Sequence, residues 1–169
     1  MPVNLRVRRK QILLAFTVFA ANFALDRLTK VLAYRFLRPR GIIRVLGDYM
    51  ILVYAENSGA FLSLGNNWNA WVKYIFLLII PIGICLFGMG YLMFKEDDAR
   101  RIIYLSCIIG GGLGNLADRL LNNFMVIDFM NFGIFKLRTG ILNIADLSVT
   151  AGAICLLLDE FLWKRKRIE

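Results

Sequence analysis

The chain has 169 residues, 59% of them hydrophobic, with 21 Lys and Arg against 12 Asp and Glu, a net charge of +9 and no histidine. One domain this apolar reads as an integral membrane protein, and its positive charge does not read as nucleic-acid binding, because the basic residues cluster beside the apolar runs, where they anchor to anionic lipid and set topology. Without histidine the usual zinc sites are excluded, and Cys85, Cys107 and Cys155 all lie inside apolar runs, which argues against a disulfide framework.

Arg6, Arg8, Arg9 and Lys10 precede an apolar run from Ile12 to Leu25. A secretory leader would end near Ala20, Ala21 and Ala24, but apolar character resumes after Lys30 with Val31, Leu32, Ala33 and Tyr34, so the segment over about 12–34 is long enough to span a bilayer. Asp26 and Lys30 share one helix face and can pair there. Residues 35–71 form an outer loop, with a turn at Pro39-Arg40-Gly41 and a short hairpin from Ile42 to Tyr54 around Gly47-Asp48. Asn57-Ser58-Gly59-Ala60 gives a polar exit from the second strand.

A second span covers about 72–94, where Pro81 predicts a kink that membrane helices tolerate. After the charged connection from Lys95 to Arg101, a third span runs over about 102–121. Residues 122–140 make the next outer loop, with an apolar cluster from Val126 to Phe129 around Asp128 and an extended segment turning at Thr139-Gly140. The last span covers about 141–163. The sum is an all-α membrane protein of four transmembrane helices with a small extracytoplasmic β element, forming a single domain over 1–169. Eleven basic residues on the termini and the 95–101 loop, against seven on the opposite loops, predict cytoplasmic termini.

The stretch from Gly110 to Asp146 concentrates polar residues that a membrane should exclude, and an ionisable side chain in a span is a functional-site hypothesis by default. At about 1.5 Å of rise per residue, Asp118 and Asp146 each lie roughly 25 Å from the cytoplasmic face, with Asp128 just past the end of the third helix. Two carboxylates sharing a poorly solvated site cannot both ionise cheaply, so one holds a proton while its partner stays charged, the logic of aspartic proteases. The competing reading is that each Asp pairs with Arg119, Arg27 or Lys30 and only holds helices together. Asn115 and Asn143 each precede an aspartate by three residues and are placed to orient it. Gly112-Leu113-Gly114-Asn115-Leu116-Ala117 formally matches a dinucleotide fingerprint but lacks its βαβ context. Gly110 and Gly114 instead form a GxxxG spacing for close helix approach. Helix geometry alone leans towards Asp118 with Asp146.

The chain resembles the bacterial lipoprotein signal peptidases (signal peptidase II) through five ordered motifs. They are Asp26-Arg27-Leu28-Thr29-Lys30, Asn57-Ser58-Gly59-Ala60, Gly111 to Arg119, Val126-Ile127-Asp128-Phe129 and Asn143-Ile144-Ala145-Asp146. The resemblance implies a membrane aspartyl endopeptidase of the bacterial inner membrane that removes the signal peptide of prolipoproteins, cutting before a cysteine that bears diacylglycerol. It implies Asp128 and Asp146 as the catalytic pair, with Asp26, Lys30, Asn57, Gly59, Asn115, Asp118, Arg119, Asn143 and Ala145 in supporting or substrate-binding roles. Two positions depart from the family pattern: Phe61-Leu62 follows Gly59-Ala60 where Ala-Phe is usual, and Leu142 stands where Phe is common. The expected partners are a lipidated prolipoprotein and membrane lipid, with no nucleic acid. No cofactor or metal is expected, since nothing in the carboxylate spacing demands Mg²⁺. The alternatives are a transporter using the intramembrane charges as a pathway and a non-cleaving lipoprotein-binding relative.

Overall fold

The computed structural model describes residues 5–60 and 64–166, which leaves Phe61 and Leu62 of the departing second motif outside the described residues. Helix α1 (Leu5–Leu32) runs on through a π-helical segment, Ala33–Leu37. Helix α2 (Ala70–Lys73), a π-helical stretch over Tyr74–Ile79 and α3 (Ile80–Phe94) make one continuous rod. Asn69 starts it by accepting a bond from the Val72 amide at 3.0 Å. Pro81 stands two residues past the end of the π-helical stretch, so the carbonyl four residues back, that of Leu77, lies within it. Proline lacks an N–H and crowds the carbonyl four residues back, and a widened π turn absorbs that conflict.

Helix α4 (Ala99–Leu121) begins three residues before the predicted Ile102 because Asp98 caps it, accepting a bond from the Arg100 amide at 2.8 Å. Helix α5 covers Ile144–Lys166. The helices over Arg8–Leu37 and Ala70–Phe94 are long and apolar enough to cross a membrane. Large side chains such as Phe16, Phe87, Phe94 and Trp71 are exposed on the outside of the bundle, an apolar exterior that marks contact with lipid.

Helix α4 packs between α1 and α5. A Cβ on Gly111 would lie 2.5 Å from the Ala145 carbonyl oxygen, and one on Gly114 would lie 2.6 Å from Asp26 Oδ2. Only glycine permits these approaches. Gly110 meets Phe19 and Asn22 of α1, so the predicted close approach across Gly110 and Gly114 is present. On the other side of α4, Ile102, Ile109 and Leu116 pack with Leu78, Cys85 and Leu92. Both sets repeat every seven residues, the spacing that keeps one seam in contact along two helices.

Strands β1 (Ile43–Arg44), β2 (Met50–Asn57), β3 (Val126–Ile134) and β4 (Leu137–Leu142) form an antiparallel sheet in that order. The first hairpin falls where predicted, with Gly47 at φ +54 in its turn. Strand β3 is longer than the apolar cluster read from sequence and sits between two partners, with most of its first half buried. A strand covered on both faces loses the alternation that identifies strands. The structure departs from the sequence-based expectation at two further places. The turn lies at Phe135-Lys136, where Phe135 takes φ +52, and not at Thr139-Gly140, which belongs to β4. Ile141 and Leu142 pair with Asn131 and Met130 in the sheet, so the last helix starts at Ile144 and not at Ile141. Ala33 and Leu37 pack under Phe129 and Met130 and seat the sheet on the end of the α1 rod.

Candidate active site

Four aspartates lie where the sheet meets the bundle, and they fall into two electrostatic kinds. Asp26 and Asp118 are both fully buried and both paired. Arg27 reaches Asp26 at 2.8 Å and Asp118 at 2.6 Å, and Lys30 reaches Asp26 at 3.0 Å and Asp118 at 2.8 Å. Two cations therefore neutralise two anions, which is what allows charge to persist in so dry a place. The same carboxylates accept backbone bonds, Asp118 from Ile127 at 3.2 Å and Asp26 from Ala145 at 3.1 Å. The cluster thus fixes α1, α4, the first residues of β3 and the first turn of α5 relative to one another.

Asp128 and Asp146 are of the other kind. Asp128 projects from β3, buried, with Oδ1 accepting from Asn143 Nδ2 at 2.6 Å and Oδ2 accepting from Asn57 Nδ2 at 3.2 Å. Asp146, half-buried in the first turn of α5, accepts from Asn115 Nδ2 at 2.8 Å and from the Asn143 amide at 3.1 Å. Asn143 Oδ1 in turn accepts from the Asp146 amide at 2.9 Å, a reciprocal cap that satisfies the open start of the helix. Among the described residues neither carboxylate has a cation within ion-pair distance. Asn143, fully buried, touches both.

Asn115 sets the orientation of this arrangement. Its Oδ1 accepts from Lys30 Nζ at 2.9 Å and from Asn143 Nδ2 at 3.0 Å, which leaves its amide nitrogen to donate to Asp146. The expectation that Asn115 orients Asp118, three residues on, gives way to this contact across the α4–α5 interface. Arg119 likewise does not pair with Asp118, whose two carboxylate oxygens are taken by Arg27 and Lys30. Its guanidinium donates instead to the Gly59 carbonyl at 2.8 Å. The Asn57 to Ala60 loop is further held by the Gly59 amide on Asn57 Oδ1 at 2.9 Å and by Lys73 Nζ on Ser58 Oγ at 3.1 Å.

Burial pushes the Asp128 carboxyl up to about 6, the charge of Asp146 pushes in the same direction, and bonds from Asn57 and Asn143 oppose the rise. A carboxyl so placed holds its proton well above the ordinary acidic range, beside a second carboxyl that asparagine amides hold in place. Among the described residues no cluster of three or more Cys, Asp or Glu is arranged to hold a metal ion.

The profile of the family described as Signal peptidase (SPase) II matches residues 18–162. The chain belongs to the signal peptidase II family. Similar relatives are the lipoprotein signal peptidase of Borreliella burgdorferi strain ZS7, 34% identical and covering 94% of this chain and 96% of that one, and that of Borreliella afzelii strain PKo, 33% identical and covering 95% and 96%. A solved structure described as a bacterial membrane enzyme superposes with a TM-score of 0.73 at 25% identity, covering 90% of this chain and 87% of that one. A second of the same description gives 0.71, covering 89% and 91%. Membership of a peptidase family sets aside the transporter alternative.

Within this signal peptidase II, Asp26, Lys30, Asn57, Gly59, Asn115, Asp118, Arg119, Asn143 and Ala145 all join one connected network around Asp128 and Asp146. Sequence reasoning passes over Arg27 as a site residue, although it bridges Asp26, Asp118 and the Gly114 carbonyl. The available signal is a second cation inside a span, next to an aspartate. Leu142, at the other position that departs from the family pattern, is buried opposite Met130.

Proposed function

We propose that Asp128 and Asp146 are the catalytic pair with which this signal peptidase II removes the signal peptide from prolipoproteins. One observation carries the assignment: of four aspartates at the junction, these two have no cation within ion-pair distance among the described residues and share contacts with Asn143. In this reading ionised Asp146 takes a proton from a water molecule as its oxygen attacks the scissile carbonyl carbon. Protonated Asp128 donates to the carbonyl oxygen, giving a gem-diol; the proton on Asp146 then passes to the leaving amine as the C–N bond breaks, and Asp128 takes its proton back from a diol hydroxyl as the new carboxyl group forms. The burial of Asp128 supports its acid role, and the greater exposure of Asp146 supports its role towards water. The bond cut is the one before the diacylglyceryl cysteine.

The same reading makes residues 1–169 one domain with four spans in the bacterial inner membrane, both termini cytoplasmic and the sheet outside. It is supported by the eleven-to-seven basic bias and by the lipid-type exterior. Purified protein in lipid nanodiscs should cleave a diacylglyceryl prolipoprotein but not its unlipidated form. Asp128→Asn and Asp146→Asn should each fold, bind that substrate and fail to cleave it. Near wild-type cleavage by Asp128→Asn, together with an inactive but folded Asp118→Asn, would transfer the role to Asp118. For the topology, a cysteine at Asn67 should react with an impermeant label in intact cells and one at Glu169 should not.

A further inference from the structure

A cleft of about 850 Å³ opens beside the Arg27–Lys30 cluster, between the end of the α1 rod, β2 and the connection from α4 to β3. Arg27, Lys30, Arg35 and Arg38 all line it, against Asp118 and Glu56. The first two cations are neutralised by Asp26 and Asp118, but Arg35 and Arg38 make no ion pair among the described residues. The guanidinium of Arg38 lies 5.0 Å from the Tyr34 ring and 5.7 Å from the Tyr54 ring, so two aromatic faces hold it at the rim. Glu56 is already engaged, accepting the Tyr54 hydroxyl at 2.6 Å. Arg27 Nε, on a residue in the wall of the cleft, is buried with no hydrogen-bond partner among the described residues. Val31, Met125 and Ile127 supply apolar wall, and Leu28, about one helical turn before Val31 on α1, is exposed.

Cations held at the end of an apolar helix, beside a cavity with an apolar wall that runs on down that helix, match one chemical class: a phosphodiester headgroup whose acyl chains stay in the bilayer. We propose that this cleft binds the phosphate of an anionic phospholipid through Arg35 and Arg38, with its chains along Val31 and Leu28. The site is separate from the peptidase reaction, since it presents guanidinium groups and the diacylglyceryl substrate carries no phosphate. It also holds whichever way the chain is oriented in the membrane. A headgroup seated against Arg27 and Lys30 would brace the cluster that, through Lys30 and Asn115, positions Asp146.

The test is native mass spectrometry of the purified full chain, offered equal amounts of phosphatidylglycerol and phosphatidylcholine in detergent. Wild type should retain phosphatidylglycerol preferentially, and Arg35→Gln and Arg38→Gln should each lower that retention about fivefold. Arg40→Gln with Arg44→Gln, exposed and outside the cleft, should not change it. The proposal is overturned if wild type shows no preference, a result that needs no variant to fold. Equal loss in the Arg40 and Arg44 control overturns it as well, since the effect is then general surface charge. Displacement of the lipid by an equal concentration of glycerol 3-phosphate would overturn it too, by showing a site for soluble phosphate and not for a lipid.

Discussion

Asp128→Asn should make the protein more stable than wild type at high pH while abolishing its activity, because the ionised carboxylate it removes is one the fold disfavours. The native carboxyl is raised from 3.8 to about 6. A rise of that size corresponds to about 3 kcal/mol of native-state penalty on the charged form. The sign follows from proton binding. Between 3.8 and about 6 the native state holds the proton and the unfolded chain does not, so wild-type stability falls with rising pH through that window and is lowest above it. Asparagine carries no charge at any pH and escapes the penalty. It also presents one amide nitrogen where Asp128 had two acceptors for Asn57 and Asn143, which returns about 1 kcal/mol. The net expectation is a variant about 2 kcal/mol more stable than wild type at pH 8 and within about 1 kcal/mol of it at pH 4. Thermal unfolding of both proteins in one detergent at pH 4, 6 and 8, followed by tryptophan fluorescence, measures the difference. A stability gap that stays constant across that range would refute the placement of an uncompensated carboxylate at Asp128.

Other perturbations separate scaffold from chemistry. Asp118→Asn leaves Arg27 and the buried Lys30 short of one anion and should cost about 3 to 5 kcal/mol, seen as lower yield and melting temperature with cleavage per folded molecule largely kept. Asn143→Ala removes both the bridge to Asp128 and the cap that holds Asp146, so turnover should fall about a hundredfold while lipoprotein binding is retained; an unchanged kcat would remove its positioning role. Gly111→Ala drives a methyl group into the Ala145 carbonyl and Val149, forcing α4 and α5 apart at a cost of about 1 to 3 kcal/mol and impairing cleavage. Gly90→Ala, where a Cβ meets nothing, is the matched control by the same assays.

The apolar runs, the first hairpin and the residues of the candidate site are legible in the chain because each rests on local order: hydrophobic stretches of membrane length, a Gly-Asp turn, and motif residues adjacent in sequence. Their side-chain partners are not, because the deciding contacts join distant positions. Arg27 reaches Asp118 across 91 residues, Lys30 reaches Asn115 across 85 and Asn115 reaches Asp146 across 31. Adjacency in sequence suggests Arg119 as the partner of Asp118, yet the fold pairs Asp118 with Arg27 and Lys30 and sends Arg119 to the Gly59 carbonyl. Strand β3 and the Ile141-Leu142 end of β4 are hidden for a related reason, since a strand covered on both faces and a helix entering a membrane present the same unbroken apolar composition. Which aspartates can be charged cheaply is decided only when the tertiary fold delivers two cations to Asp26 and Asp118 and none to within ion-pair distance of Asp128 and Asp146 among the described residues. Ion pairing depends on a few ångströms in space, and the order of residues along the chain does not contain that distance.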